Sequence, residues 1–549
     1  MKHLRSAFCI LLTLVMMVST AAFGETIDPN DPANWPLPNN LPITEEDVTL
    51  SIFVKWTDGA EQAYPSLAEH PAHKLLAEKI GVKTEYINFP GAKEGQELLN
   101  TFVASGDYPD IIFFSLSSYP GGYEGAIQDG VIIDPTELVK QYAPNFISAI
   151  NSYAEKVPMI WKNITNDNGI MSGFGTMLSS EYMTGNVQGG FFVRRDLLQK
   201  VGKELPYTIE EFVDVLKAFR DDPEINMWPM TMESPSRSFW NTNPFVSAWG
   251  LTNGNAGNEF ALKDGKVIYS KTQDGYKEYM KFMNMLYSEK LLDPNFVSTD
   301  GNLAREKLQS GEAAVSMGSY WNYSKMLTLG KATVGEEWDV IALPYIRQNK
   351  EDVLTTIPLI QPIDGIGVAI SATCKHPVEA IKFIDALYSE EIAFFCNWGP
   401  GSEEYPTYEI VDGEPRITEF ITKNPEMDSQ VANGRYMINN MTRVGSLVKD
   451  RQGGAGMPHQ EEGWDIWNYN VNSSNLLPSY MTMTPDESRE YTQIMNQVNT
   501  YADEMMFKFI LGDVSIDAEW DTFVKNIENM NVARAVEIKE AAYARYLAR

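Results

Sequence analysis

Cysteine and histidine are scarce in this chain, three and five residues among 549. Cys9 lies in an N-terminal apolar run, which leaves Cys374 and Cys396 for a mature protein. That count excludes a disulfide-built scaffold. A helical pattern separates the two, and a rise of about 1.5 Å per residue would hold them apart, so free, buried thiols are expected. Among the histidines, His70 and His73 form HPAH. Two histidines without a third ligand do not make a zinc site, and a surface helix is expected for them. Basic residues are also short, 44 against 74 acidic ones, giving a net charge of -30. This balance speaks against nucleic acid or an anionic membrane surface as the main partner; it serves solubility. Nucleophile elbow, HExxH pair, P-loop and GxGxxG unit are all absent. So are internal repeats and low-complexity tracts. Beyond the N-terminus, no apolar stretch is long enough to span a bilayer.

The N-terminus itself carries Lys2 and Arg5, then an apolar run over 7–18, then Ala22-Phe23-Gly24. Small residues at the two positions a signal peptidase inspects mark residues 1–24 as an export signal, cleaved before Glu25. An uncleaved anchor is the alternative, since the run is near the short end of a membrane span. No Leu-rich lipobox precedes Cys9, so lipid attachment there is not expected. Residues 25–47 hold Pro29, Pro32, Pro36, Pro38 and Pro42 and read as a stiff linker.

The remaining length exceeds the reach of one core, about 250–300 residues, so two lobes are expected. Strand and helix patterns alternate at 48–54, 66–80, 82–87, 94–105 and 111–114, a βαβαβ series that implies a parallel sheet with helices on both faces. Its last strand opens the stretch PDIIFFSLSSYPGGY at 109–123. A run of four apolar residues suits a strand buried on both faces, and the loop at its carboxyl end is where open α/β sheets hold ligands. Hydroxyls and rings gathered there suit a sugar. A second unit begins near Gly190, with a strand at 191–193, a short helix at 196–201, and a helix that Thr208 and Glu211 open as a capping box. A hairpin arm at 267–269 and a helix at 276–286 follow. The run IDGIGVAI at 363–370 reads as a strand returning to the first lobe, followed by a helix from Pro377. Residues 486–549 are largely helical.

Several segments resemble one family: GDYPDIIF at 106–113, RRDLLQKVGKELPYTIEEF at 194–212, LYSEKLLDPNF at 286–296, SGEAAVSMGSYW at 310–321, CKHPVEAIKFIDALYS at 374–389 and LGDVSIDAEWDTFV at 511–524. They keep the order found in the extracellular solute-binding proteins of sugar ABC transporters, family 1, in its large Gram-positive branch. The resemblance implies a periplasmic-binding-protein-like α/β fold, with two lobes of parallel-rich sheets joined by crossing strands near 189, 363 and 400. It assigns 48–188 plus 364–400 to the first lobe and 189–363 plus 401–549 to the second. It implies a monomer that takes an oligosaccharide, without cofactor or catalysis, and delivers it to an ABC permease. The site would lie outside the cell, on the membrane face or secreted. Two family features are missing. The chain reads Asp221-Asp222-Pro223-Glu224-Ile225-Asn226 where some relatives carry a calcium loop, and lacks the alternating oxygens and turn glycine. It also lacks the lipobox common among Gram-positive relatives.

Candidate ligand contacts follow from loop position and from the resemblance. Phe114, Ser117, Ser118 and Tyr119 form the first-lobe loop, and Trp56 with Asp58 ends the first strand. Trp321, after the apolar run 313–317, resembles the sugar-stacking tryptophan of the second lobe. Arg237, Trp240 and Asn241 lie in SRSFWNTNPF, a loop without evident structural task. Trp464 and Trp467, three apart in EEGWDIWNY, would share a helix face, and Trp398 lies near a crossing. For each tryptophan, core packing is the competing reading. Two functional alternatives stand beside the sugar receptor. One is a secreted glycosidase, which needs two carboxylates about 5–10 Å apart. The other is a receptor for a non-sugar solute such as a peptide.

Overall fold

In the computed structural model, residues 40–549 are described apart from 58, 155–156, 158, 172, 178–184, 236–243, 254–258, 428, 439 and 442–456. Strand β1 (Thr49–Lys55) buries Leu50, Ile52, Phe53 and Val54. Helix α1 (Pro71–Ile80) starts on a proline, whose missing N–H costs nothing there, and stops at Gly81, where φ is 85°. Only glycine fits that turn, because a Cβ would also lie 2.2 Å from the Pro42 side chain. Strand β2 (Lys83–Phe89), helix α2 (Ala92–Ser105) and strand β3 (Ile111–Phe113) complete the expected series. Strand β4 (Phe174–Met177) ends the first pass.

The chain then enters the second lobe at β5 (Gly189–Arg194), buried at all six positions. Helix α3 (Ile209–Asp221) opens on the capping box: Thr208 Oγ1 accepts the Glu211 N–H at 3.2 Å, and the Glu211 carboxylate accepts the Thr208 N–H at 3.0 Å. Strands β6 (Trp228–Met230), β7 (Ala313–Ser319) and β8 (Val340–Ala342) follow, then β9 (Ile363–Ile370). Helices α4 (Met457–Trp467), α5 (Pro485–Leu511), α6 (Ile516–Asn529) and α7 (Val532–Ala548) fill the C-terminal part.

The first sheet has the order β2-β1-β3-β9-β4. Strands β2, β1 and β3 are parallel, as the βαβαβ reading requires. Strand β9 lies antiparallel to β3 and to β4, because the chain comes back into this sheet from the other lobe. The second sheet, β8-β5-β7-β6, pairs β5 antiparallel with both neighbours and keeps one parallel pair, β6 with β7. Each sheet has its own core. Ile52, Ile111, Phe146 and Ile384 meet in the first, while Phe191, Phe212, Met280 and Phe523 meet in the second. Helices α5, α6 and α7 close the second core through Val498, Trp520 and Ile538.

Four expectations need correction. Residues 401–441 do not join the second lobe. Ile438 and Met441 are buried in the first core, and Thr57 donates its hydroxyl to Gly434 O at 2.6 Å. Near 400 the chain therefore stays with the first lobe, where Met441 is still part of the core. His70 and His73 are fully buried instead of lying on a surface helix. The reason is the covering segment: His70 Nε2 donates to Gly434 O at 3.1 Å, and His73 packs edge-on to Tyr86. The linker's last residues are packed too, Ile43 being buried with its N–H on Ile80 O at 2.9 Å. Finally, Cys374 is half-buried, not buried like Cys396; no disulfide joins the two.

Candidate functional site

A cavity of ≈ 1240 Å³ lies between the lobes. Its first wall is made of strand ends. Phe89 closes β2, Phe113 closes β3, and Phe114, Ser115 and Ser117 continue into the loop. The rings of Phe89 and Phe114 meet edge-on at 5.4 Å, and Phe53 backs Phe89 at 4.5 Å. Tyr123 fixes the loop by accepting the Leu116 N–H at 3.2 Å. Burial pushes the Tyr123 phenol above its ordinary value, so it stays neutral. Glu124, one residue on, accepts from Asn166 Nδ2 at 3.2 Å and Asn168 Nδ2 at 3.3 Å.

The facing wall comes from the second lobe and from chain without regular structure. Gln188, Tyr320 and Leu359 contribute, with a run from Leu476 to Met483. This run is ordered by bonds to its neighbours. Leu262 N–H reaches Asn475 O at 2.8 Å, Asn475 Nδ2 reaches Thr355 Oγ1 at 2.8 Å, and Tyr480 donates its hydroxyl to Ile363 O at 2.5 Å. Among the described lining residues, only Lys55 and Glu124 carry charge. The rest are rings, hydroxyls, amides and aliphatic groups. Such a surface can lie on the C–H faces of a sugar and satisfy its hydroxyls.

The sequence candidates divide sharply. Phe114 and Ser117 line the cavity. Ser118 turns to Gln96, donating to Oε1 at 2.9 Å, and Tyr119 turns to Asp129, donating to Oδ2 at 2.9 Å. The Tyr119 phenol is raised to about 12, by burial first and Asp129 second. Trp56 is half-buried against the first core, not in the cavity. Trp321 sits in the turn Tyr320–Asn322 that follows β7, next to the lining Tyr320; its side chain is outside the description. Asp58, Arg237, Trp240 and Asn241 lie outside the described residues.

Trp398, Trp464 and Trp467 are corrected to core positions. Trp398 is fully buried beside Phe394 and Tyr408. Trp464 and Trp467 do share a face of α4, but β5 covers it. Their indole N–H groups donate to Val187 O at 3.1 Å and Phe191 O at 3.3 Å. A Cβ at Gly190 would stand 2.9 Å from Trp467 Nε1, so the missing side chain there makes room for the indole. Tryptophan has the most apolar area to hide, and the second lobe hides it. Sequence reasoning missed the 476–483 run, together with Glu124, Asn163 and Tyr546. One signal was available: Thr484 and Glu487 form a capping box, and polar–aromatic chain directly before a helix start is a frequent place for contacts.

In the stretch 221–226, Asp222 Oδ1 accepts the Glu224 N–H at 2.8 Å. Among the described residues, no three His, Cys, Asp or Glu side chains converge on a metal position. No helix among them is long and apolar enough to cross a membrane.

Known proteins share this architecture. The fructooligosaccharide ABC transporter substrate-binding protein FusA of Streptococcus pneumoniae serotype 4 is 23% identical over 511 residues, 88% of this chain and 89% of that one. The solved structure of S. pneumoniae FusA with kestose superposes with a TM-score of 0.70 at 19% identity, covering 91% of this chain and 99% of the other. An HMO-binding solute-binding protein of Bifidobacterium longum infantis gives 0.72 at 18% identity, again over 91% and 99%. These two structures establish the fold. The sequence pattern of one family matches residues 61–393, from the first lobe through the second and back. On that match the chain belongs to the bacterial extracellular solute-binding proteins.

Proposed function

We propose that this protein captures an oligosaccharide between its lobes and delivers it, unaltered, to the permease of an ABC transporter. The observation that carries this reading is the cavity. At ≈ 1240 Å³ it exceeds the space of a typical small-molecule site, about 300–1,000 Å³, and its described lining is aromatic, aliphatic and polar, with Lys55 and Glu124 the charged groups among the described residues. Stacked rings would each add about 0.5–1.5 kcal/mol beyond area burial. The lobes would close because the sugar binds the closed form better than the open one. The likeness to FusA, named for fructooligosaccharides, and to an HMO-binding protein supports an oligosaccharide over a single sugar. Binding without turnover is supported by the family to which the chain belongs, which is one of solute-binding proteins. An export signal at residues 1–24 would carry the protein out of the cell, to the membrane face or into the medium, where we propose that it acts as a monomer.

Calorimetry with a panel of neutral oligosaccharides, including kestose, maltotriose and lacto-N-tetraose, tests this. At least one should bind with one-to-one stoichiometry and emerge intact by chromatography. Trp321→Ala should weaken it about tenfold with little change in melting temperature, and Phe114→Ala should weaken it about tenfold while also lowering the melting temperature, because that ring packs on Phe53 and Phe89. Absence of binding across the panel, or release of shortened sugars, overturns the reading.

A further inference from the structure

One corner of the cavity is built from both lobes and owes nothing to the strand-end tryptophans or phenylalanines. Asn163 and Asn166 belong to the first lobe, on the short helix Ile160–Ile164 and the turn after it. Tyr546 belongs to the last turn of α7, which packs in the second core through Ala535 and Ile538. Both asparagines are buried, 7% and 4% exposed, yet both line the cavity. Tyr546 donates its hydroxyl to Asn163 Oδ1 at 2.7 Å. With that oxygen occupied, Asn163 keeps two N–H donors on Nδ2, and no described side chain or carbonyl accepts them.

Asn166 is fully used. Its Oδ1 takes the N–H groups of Asn168 and Ile170 at 2.9 and 3.0 Å, and its Nδ2 donates to Glu124. Glu124 in turn holds three long bonds, 3.2 Å from Asn166, 3.3 Å from Asn168 and 3.4 Å from Gln128. A carboxylate normally draws charge-assisted donors closer, to about 2.7–2.9 Å, and offers about four lone-pair positions. It is therefore held in place without being saturated. Asn163 and Glu124 line the same cavity from the first lobe, and Asn166, in the turn after the Asn163 helix, ties that turn to Glu124. An amide donor and a carboxylate acceptor on one wall suit two hydroxyls of one sugar unit, one accepting from Asn163 and one donating to Glu124.

We propose that this corner is a subsite for two hydroxyls of a neutral sugar unit. Asn163 and Glu124 are its contact residues, and Tyr546 is the positioning residue that orients the amide. The inference rests on the oligosaccharide reading above. A uronate at the same place would face the Glu124 charge. The subsite is also complete only when the lobes meet. On either side of Tyr546, Arg545 Nε and Arg549 Nε reach Asp167 of the first lobe at 2.7 and 2.8 Å.

The test uses the full chain and whichever of kestose, maltotriose and lacto-N-tetraose binds it, followed by monodeoxy analogues of that sugar. Glu124→Gln and Asn163→Asp should each lower affinity at least about tenfold, and Tyr546→Phe about threefold. One analogue that binds the unaltered protein weakly should bind Glu124→Gln no worse than the parent sugar does. A merely structural role would not produce that cancellation. Ligand-free melting monitors folding, and if Asn163→Asp fails to fold, the other two variants decide. Unchanged affinity in Glu124→Gln and Tyr546→Phe, or losses equal for every analogue, overturn the subsite while Phe114→Ala still reports on the sugar reading. An unaltered protein that binds none of the three sugars overturns both.

Discussion

The two walls of the cavity are held in place by different means. The first is an extension of a sheet. Phe89 and Phe113 are the last residues of parallel strands, and Phe53, fully buried, supports the Phe89 and Phe114 rings from below at 4.5 and 6.0 Å. The second wall is a length of irregular chain laid over the second lobe, and its order comes from individual hydrogen bonds such as Tyr480 to Ile363 O. A wall fixed by core packing cannot change without disturbing the core. A wall fixed by a few polar contacts can be altered at small cost in stability. Substitutions behind the first wall should therefore act mainly on folding, and substitutions within the second mainly on affinity.

The largest effect is expected at Trp467, which the second lobe keeps away from the cavity. It is fully buried and meets Phe192 edge-on at 5.0 Å. Trp467→Ala should cost about 3–5 kcal/mol, read by urea unfolding, while the fraction that remains folded binds sugar as before. Intact stability with lost binding would move Trp467 into the site and erase the contrast between core and wall.

Much of the first wall is legible from local pattern. An apolar run of four followed by Ser, Tyr, Pro and Gly fixes where β3 ends, and Phe114 and Ser117 follow from the position of that end. The same pattern does not say which hydroxyls turn inward, and Ser118 and Tyr119 turn to Gln96 and Asp129 instead. For Trp464 and Trp467, spacing correctly predicts a shared face, but nothing nearby in sequence shows that β5 lies across it. Asn163 and Tyr546 meet across 383 positions, a separation at which no local signal exists. His70 and His73 mislead for a related reason: the segment that buries them arrives from Gly434.

That buried pair supplies the next test, at the outer edge of the first wall. The segment it holds continues to Asn440, which lines the cavity and donates to Lys55 O at 2.6 Å. Burial lowers the His70 ring from 6.5 to about 4, and lowers His73 well below its ordinary value. The folded protein therefore binds fewer protons than the unfolded chain between these values. The neutral ring's contribution is complete above pH 6.5 and is lost as pH falls towards 4, by about 3 kcal/mol for His70 alone. Urea unfolding at pH 7 and pH 4.5 should show this loss, and His70→Gln should remove the His70 share of it while the His73 share remains. An equal pH slope in the variant would assign the acid sensitivity elsewhere.

A smaller change separates packing from binding. Gly95 in α2 lies directly under the first wall, where an added Cβ would stand 2.7 Å from the Phe114 ring and 2.8 Å from Phe89. Gly95→Ala gains helix propensity, about 1 kcal/mol, but overpacks the rings by about 1–3 kcal/mol. The net loss of stability should be near 1 kcal/mol, with sugar affinity reduced because Phe114 must shift. Unchanged affinity would mean that the first wall tolerates ring displacement and is less rigid than its support suggests.

The smallest effect on folding is expected from the second wall. Tyr480→Phe removes one hydroxyl bond to Ile363 O, 2.5 Å long, beside a cavity where water can take the hydroxyl's place, so the cost should sit at the low end for a hydrogen bond, about 0.5 kcal/mol. Ile363 opens β9, the strand by which the chain returns to the first sheet, so this bond fastens the irregular wall to the crossing itself. Melting temperature should hardly move, whereas sugar affinity should fall several-fold because the wall is no longer held at its closing distance. The decisive measurement is the ratio of the two changes. If Gly95→Ala and Tyr480→Phe lose stability and affinity in the same proportion, the walls do not differ in kind, and both are parts of one cooperative core.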